Sequence, residues 1–209
     1  PPSSGSFGTP VVLAAPSPSA NDGYGISLAI LGTQAFVGAP FRDLESPTRA
    51  DGGEVYRYTF DGSNWNPASL TPPPGILANA RLGVSIALSS AHAVFGAPGQ
   101  DDVGSPGEGA VYAYDMPSAS FGEVVRATGA VAGAAFGRSV AVAGANLIVG
   151  APAAPRPPDL AVGAFVMFEH VAGNWEERQS FQPAPNNGQA GVSVAVGSTY
   201  AVAGAPTVD

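Results

Sequence analysis

The chain contains no cysteine and no lysine in its 209 residues. Without cysteine it can build neither a disulfide framework nor a thiolate metal site. Secreted eukaryotic domains often carry disulfides, so the absence leans toward a bacterial surface or secreted protein. Without lysine, all eight basic residues are arginine, set against sixteen acidic ones for a net charge of −8. An acidic chain with no basic cluster repels phosphate backbones, which argues against nucleic acid as a partner. It also lacks the polybasic stretch by which proteins bind anionic membranes. Charge of either sign is sparse, 11% of residues against roughly 25% in an ordinary soluble domain. Long hydrophobic runs are missing too. The longest uncharged apolar stretch, Ser139 to Ala154, is broken by Gly144, Asn146, Gly150 and Pro152. That is too interrupted for the ~20 apolar residues of a spanning helix, so no membrane span is expected. No signal peptide and no Asn-x-Ser/Thr acceptor occur, and the chain opens Pro1-Pro2-Ser3-Ser4, as a processed chain or one cut from something longer would.

What is abundant is glycine (28) and proline (21), a composition that raises the question of disorder. Ten Phe, six Tyr, two Trp and many Val and Ile answer it, because disordered chains are poor in such residues. Glycine and proline that punctuate short apolar segments point instead to many strands and many turns.

The punctuation is periodic. Gly38-Ala39-Pro40 returns as Gly96-Ala97-Pro98, Gly150-Ala151-Pro152 and Gly204-Ala205-Pro206, at steps of 58, 54 and 54 residues. A first element precedes each: Tyr24-Gly25-Ile26-Ser27, Leu82-Gly83-Val84-Ser85, Phe136-Gly137-Arg138-Ser139 and Ala190-Gly191-Val192-Ser193. From its Ser to the Gly of Gly-Ala-Pro is 11 residues in all four copies. A third element begins at Gly53, Gly109 and Gly163, and a fourth begins 12 residues later at an aromatic, Trp65, Phe121 or Trp175. Phe7 fits as an earlier copy of that aromatic. Each element alternates with the period of two expected of a strand, and no segment sustains a helical period. The expectation is an all-β chain of four-stranded antiparallel units. Four strands repeated radially make a propeller blade, and since one blade cannot bury both faces, neighbours stack.

Phe136-Gly137-x-Ser139-Val140-Ala141 followed by Ile148-Val149-Gly150-Ala151-Pro152 resembles the FG-GAP repeat of integrin-α-like β-propellers. Tyr24, Leu82 and Ala190 stand where that family has Phe. The resemblance covers nearly the whole of residues 1–209, with repeat units at approximately 7–64, 65–120, 121–174 and a partial 175–209. It implies about three and a half to four blades here, where the family has a ring of seven. Counting a fourth strand around Phe7, three complete units and two closing strands gives fifteen strands, about half a ring. Three explanations stay open: part of a longer polypeptide, pairing with another copy or a partner, or closure as four blades with one strand missing.

The resemblance further implies an extracellular or cell-surface module for adhesion or recognition of a protein or glycan. Rival readings are a structural subunit of an extracellular filament or assembly, with other copies of the chain as partners, and an accessory portion of a larger secreted enzyme. Many FG-GAP repeats hold calcium in an Asp-rich turn between the first and second strands, as the ion's need for six to eight oxygens requires. The corresponding turns here, 31–34, 89–92, 143–146 and 197–200, contain no acid, so no metal and no cofactor is expected. The acids sit instead between second and third strands: Asp43, Glu45 and Asp51, then Asp101, Asp102 and Glu108, then Asp159. Those loops share a face with the fourth-to-first connections if strands alternate in direction. Arg42, Asp43, Arg49, Asp101, Asp102, Arg156 and Asp159 are therefore the candidate ligand-binding rim, with solvated loop charge as the plainer reading. Trp65, Phe121 and Trp175 read as wedges between blades rather than a sugar platform. No catalytic residue is expected. His92 and His170 sit near turns on the opposite face, the four serines are one repeated structural position, and no nucleophile elbow or phosphate loop occurs.

Overall fold

The computed structural model describes residues 8–45, 48–101, 105–155, 162–183 and 188–206. It is all-β, with no helix among the described residues. The first sheet begins with β1 (Ser27–Leu31) and β2 (Gln34–Ala39). A short hairpin, β3 (Leu44–Glu45) with β4 (Thr48–Arg49), then interrupts before β5 (Glu54–Phe60) and β6 (Trp65–Ser69) complete the sheet. The second sheet is β7 (Ser85–Leu88), β8 (His92–Ala97), β9 (Ala110–Asp115) and β10 (Ser120–Val125). The third is β11 (Ser139–Ala143), β12 (Asn146–Ala151), β13 (Ala164–Val171) and β14 (Asn174–Phe181), and β15 (Val194–Val196) pairs with β16 (Ala201–Ala203) as a two-stranded fourth. Each four-stranded sheet takes its strands in sequence order, all antiparallel.

The constant 11-residue offset is a register. Ser27 pairs with Gly38, Ser85 with Gly96 and Ser139 with Gly150 across the first two strands of each sheet. Between sheets the first strands meet: β1 lies against β7, β7 against β11, and β11 against β15.

The same junction is built three times. Ser27 Oγ donates to the carbonyl of Gly83 (2.5 Å), Ser85 Oγ to Gly137 (2.8 Å) and Ser139 Oγ to Gly191 (2.7 Å). Each accepting glycine in turn donates its own N–H to the Gly-Ala-Pro glycine of its sheet, as Gly137 does to Gly150 at 3.1 Å. A further backbone bond crosses the junction just before the third strand: Leu82 N–H to Gly52, Phe136 to Glu108 and Ala190 to Val162, at 2.9–3.1 Å. A Cβ on Gly150 would collide with the Gly191 carbonyl and the Ser139 hydroxyl. Gly137 has φ of 89°, a left-handed conformation that glycine adopts without steric cost.

Apolar side chains fill the space behind these bonds. Period-two alternation gives each strand two faces, and in the inner strand β8 both are buried. In β8, Ala93 and Phe95 join Phe36 and Val55 of the first sheet, while Val94 joins Leu147, Val149 and Phe168 of the third. Each of the fully buried Val, Leu and Phe side chains contributes about 1.5–3 kcal/mol. Phe121 packs onto the first of these clusters and Trp175 lies within the second, as wedges between sheets. Trp65 packs instead on the outward face of the first sheet, with Tyr24 and Leu13.

At the start of the chain the structure departs from the expected fifteenth strand. Phe7 lies outside the described residues, and residues 8–26 form no strand. No third strand precedes them among the described residues to supply a ladder, and Pro10, Pro16 and Pro18 carry no N–H to donate to one. The segment is held from its side: Tyr24 Oη donates to the Leu13 carbonyl and Tyr58 Oη to the Ala14 carbonyl, both at 2.8 Å.

Candidate functional site

The loops between second and third strands and the connections between sheets lie on one face and interlock there. Asn79 N–H reaches the Ala50 carbonyl (2.7 Å) and Arg81 N–H the Asp51 carbonyl (3.0 Å). In the next sheet Gly133 N–H reaches Pro106 at 2.9 Å, and Ala135 N–H reaches Gly107 at 3.2 Å. The Arg81 guanidinium also sits 5.7 Å from the centre of the Phe41 ring.

The rim residues read from the sequence reach this face, and each described one bonds to its own loop or to a segment packed beside it. Arg42 is the centre of a partly buried ion cluster, with Nη1 3.1 Å from Asp22 Oδ2 and Nε 3.6 Å from Glu54 Oε2. The Tyr56 hydroxyl donates to the same Glu54 oxygen at 2.8 Å, and burial raises the Tyr56 pKa above that of a free phenol. Asp43 Oδ1 accepts the Asp51 N–H (2.9 Å), Arg49 Nη1 donates to the Ile76 carbonyl (2.6 Å), and Asp101 Oδ1 accepts the Gly107 N–H (2.5 Å). Glu108 is buried beside Arg126, 3.9 Å away. Asp102, Arg156 and Asp159 lie outside the described residues. Among the described residues no three His, Asp or Glu side chains gather as a metal site would require.

One exposed cation on this face, Arg138, is a residue the sequence reading passed over. Arg138 follows the first-element glycine, where the other units carry Ile26, Val84 and Val192. With Pro152, Ala153, Gln189 and Val192 it lines a hollow of about 390 Å3 between the third and fourth sheets. The signal was present in the alignment of the repeats: this position is apolar in three units and charged in one.

On the opposite face the structure brings together residues that the sequence could not. His92, at the start of β8, lies against His170 near the end of β13, with ring centres 4.4 Å apart. Trp175, the cross-strand partner of His170, completes the group at 5.1 Å from His92 and 5.0 Å from His170. Asp115 and Glu123 border the same cleft of about 160 Å3, and Glu123 Oε2 accepts the Trp175 backbone N–H at 2.7 Å. His92 is buried and its Nδ1 has no hydrogen-bond partner. Burial, and secondarily the charge His170 would carry, lower the His92 pKa, against the opposing pull of Asp115.

Comparison with family models finds no match to this chain, and comparison with curated protein sequences finds none either.

Proposed function

We propose that the sheets are blades of an FG-GAP-type β-propeller, and that the chain is an extracellular or cell-surface recognition module. It binds a protein or glycan through the face on which the second-to-third loops and the inter-sheet connections meet, and it does so without catalysis. The observation that carries this reading is a division of roles along each unit. The repeated serines and glycines are consumed at the junctions between sheets, where Ser27, Ser85 and Ser139 meet the carbonyls of the next unit. The residues that vary between units lie on the loop face, and Arg138 stands exposed there beside an open hollow. Loops held by a rigid scaffold are where binding residues concentrate. Arg42, Asp43, Arg49 and Asp101 shape that face by fixing its loops, and Arg138 and Gln189 supply groups free to meet a ligand.

The test is an array of neutral, sialylated and sulfated oligosaccharides, read alongside binding of the labelled chain to cell surfaces. Wild type and Arg138→Glu are compared with a charge reversal away from the loops, Arg178→Glu in the middle of β14. Binding lost in Arg138→Glu and kept in Arg178→Glu is the expected result. Binding equal in all three, or lost only in Arg178→Glu, would remove the loop face from consideration.

A further inference from the structure

One space under the loop face is filled by large side chains in two units and left open in the third. The residue three after the glycine that begins the third element is Tyr56, Tyr112 and Val166 in turn, and the residue four after the Gly-Ala-Pro glycine is Arg42, Gln100 and Ala154. Their backbone bonds are the same. Arg42, Gln100 and Ala154 each donate an N–H to the alanine three residues before, and each accepts one from Gly53, Gly109 or Gly163. In the second unit the space is full. Tyr112, Gln100 and Ile76 are each 2% exposed. Gln100 ties the connection down, its amide donating to the Gly75 carbonyl (3.0 Å) and accepting the Leu77 N–H (3.2 Å). In the first unit Arg42 bridges Asp22 and Glu54, and Tyr56 bonds to Glu54. In the third unit the counterpart of Ile76 is Ala130, since the N–H of Ala80 meets Leu77 as that of Ala134 meets Val131. All three large side chains are thus replaced at once, by Ala130, Ala154 and Val166. What remains is a pocket of about 170 Å3, lined by these three and by Phe136, Ser180 and Gln182 among others.

We propose that this pocket receives the ring of a tyrosine or phenylalanine side chain from a partner protein, an inference that rests on reading the loop face as the binding face. The class of group follows from what the sister units hold at the same place, a tyrosine ring packed among apolar neighbours. None of the lining side chains is charged, so an uncharged ring suits the pocket and an ionised group does not. Ser180 and Gln182 offer a hydroxyl and an amide to a phenol O–H, and the Gln182 amide already donates to the Pro155 carbonyl at 3.2 Å. Size decides between a whole small molecule and one group of something larger. An apolar cavity of about 150 Å3 accepts a benzene ring, whereas sites for small molecules run to about 300–1,000 Å3. This pocket therefore holds one ring. Its place fits a protein partner. It opens between the connection at 127–131 and the turn at 151–155, while Pro152 and Ala153 of that same turn line the hollow beside Arg138. A chain crossing the turn sets an aromatic side chain on one side and an acidic one on the other. Aromatic anchors seated in pockets carry much of the energy of protein interfaces.

Nuclear magnetic resonance of the isotope-labelled 209-residue chain, titrated with p-cresol and with N-acetyltyrosinamide, reads the pocket directly. The expected result is saturable shifts at the amides of 127–131 and of Ala154 with both probes, and none with N-acetylalaninamide. Ala130→Ile and Ala154→Gln restore the residues of the second unit. Each should abolish the shifts while leaving the melting temperature unchanged or higher, since filling a cavity commonly stabilises. A measurement that needs no variant is magnetisation transfer from the p-cresol ring to the methyl groups of Ala130, Ala154 and Val166. No saturable shift in wild type, no transfer to those methyls, or shifts that persist in a folded filled variant would each overturn the pocket as a ring site. Binding of p-cresol without binding of N-acetyltyrosinamide would overturn the protein side chain as the source and leave a free aromatic compound. Failure of the loop-face reading looks different: cell-surface binding indifferent to Arg138→Glu, with the p-cresol titration unchanged.

Discussion

Ser139 and Gly191 are 52 residues apart in sequence, and the hydroxyl of the first donates to the carbonyl of the second across 2.7 Å. That carbonyl passes directly over Gly150, the cross-strand partner of Ser139. A glycine and a serine conserved in position from unit to unit are thus explained by one contact: the glycine makes room for the backbone of the next sheet and the serine bonds to it.

Gly150→Val should abolish cooperative folding. A side chain there meets a backbone carbonyl rather than a flexible neighbour, and overpacking that the backbone must absorb is costly. Gly122→Ala is the control: a Cβ at Gly122 finds nothing nearer than the Ala113 carbonyl at 3.9 Å. Circular dichroism melts should show a broad or absent transition for the first and an unchanged or slightly higher melting temperature for the second.

Ser139→Ala should lower stability by about 1–2 kcal/mol, the range for a lost hydrogen bond that leaves a buried acceptor unpaired. Ser193→Ala, at the same position in the fourth sheet but with no following sheet among the described residues, should stay within about 0.5 kcal/mol of wild type. Urea unfolding of the two variants provides the comparison, and equal losses would contradict the junction as described.

Arg42 separates a structural cation from a binding one. Its removal leaves buried Asp22 and partly buried Glu54 without their guanidinium, and Arg42→Ala should cost about 2–3 kcal/mol. Arg138→Ala, on an exposed side chain, should leave thermal stability unchanged. A stable Arg42→Ala chain that lost ligand binding would return Arg42 to the recognition rim.

The pairing of His92 with His170 predicts a pH dependence with a definite sign. The His92 pKa is lowered in the folded chain by burial and by His170, so the unfolded chain binds the proton more readily. Stability from this source is complete above the ordinary imidazole value of about 6.5 and is lost as pH falls through it toward the folded value. Melting temperature should drop between neutral and mildly acidic pH, and His92→Gln should flatten that drop. The groups facing the pair, Asp115, Glu123 and Trp175, remain in the variant, so a slope that is unchanged would assign the effect to the carboxylates instead.

The strands and their register were legible in the sequence because both are local. The distance from Ser139 to Gly150 is set by two strands and one short turn, and alternation along β8 or β12 marks faces that any partner would bury. The start of the chain shows the converse: Phe7 lies outside the described residues, and an aromatic at the right offset does not by itself make a strand of residues 8–26, where Pro10, Pro16 and Pro18 remove donors. Packing partners were beyond the sequence. Nothing near His92 names His170, since the two approach only once the second and third sheets are stacked. Charged residues such as Arg42 and Asp101 look alike in sequence whether they face solvent or fix a loop, and only the closed loop geometry turned them inward. The sequence by itself thus determined the all-β class, the four-strand unit and its repetition, through short-range periodicity and backbone sterics. The tertiary structure alone decided which surfaces meet and which polar groups are consumed in that meeting, because burial is a property of sheets brought together and not of any one segment.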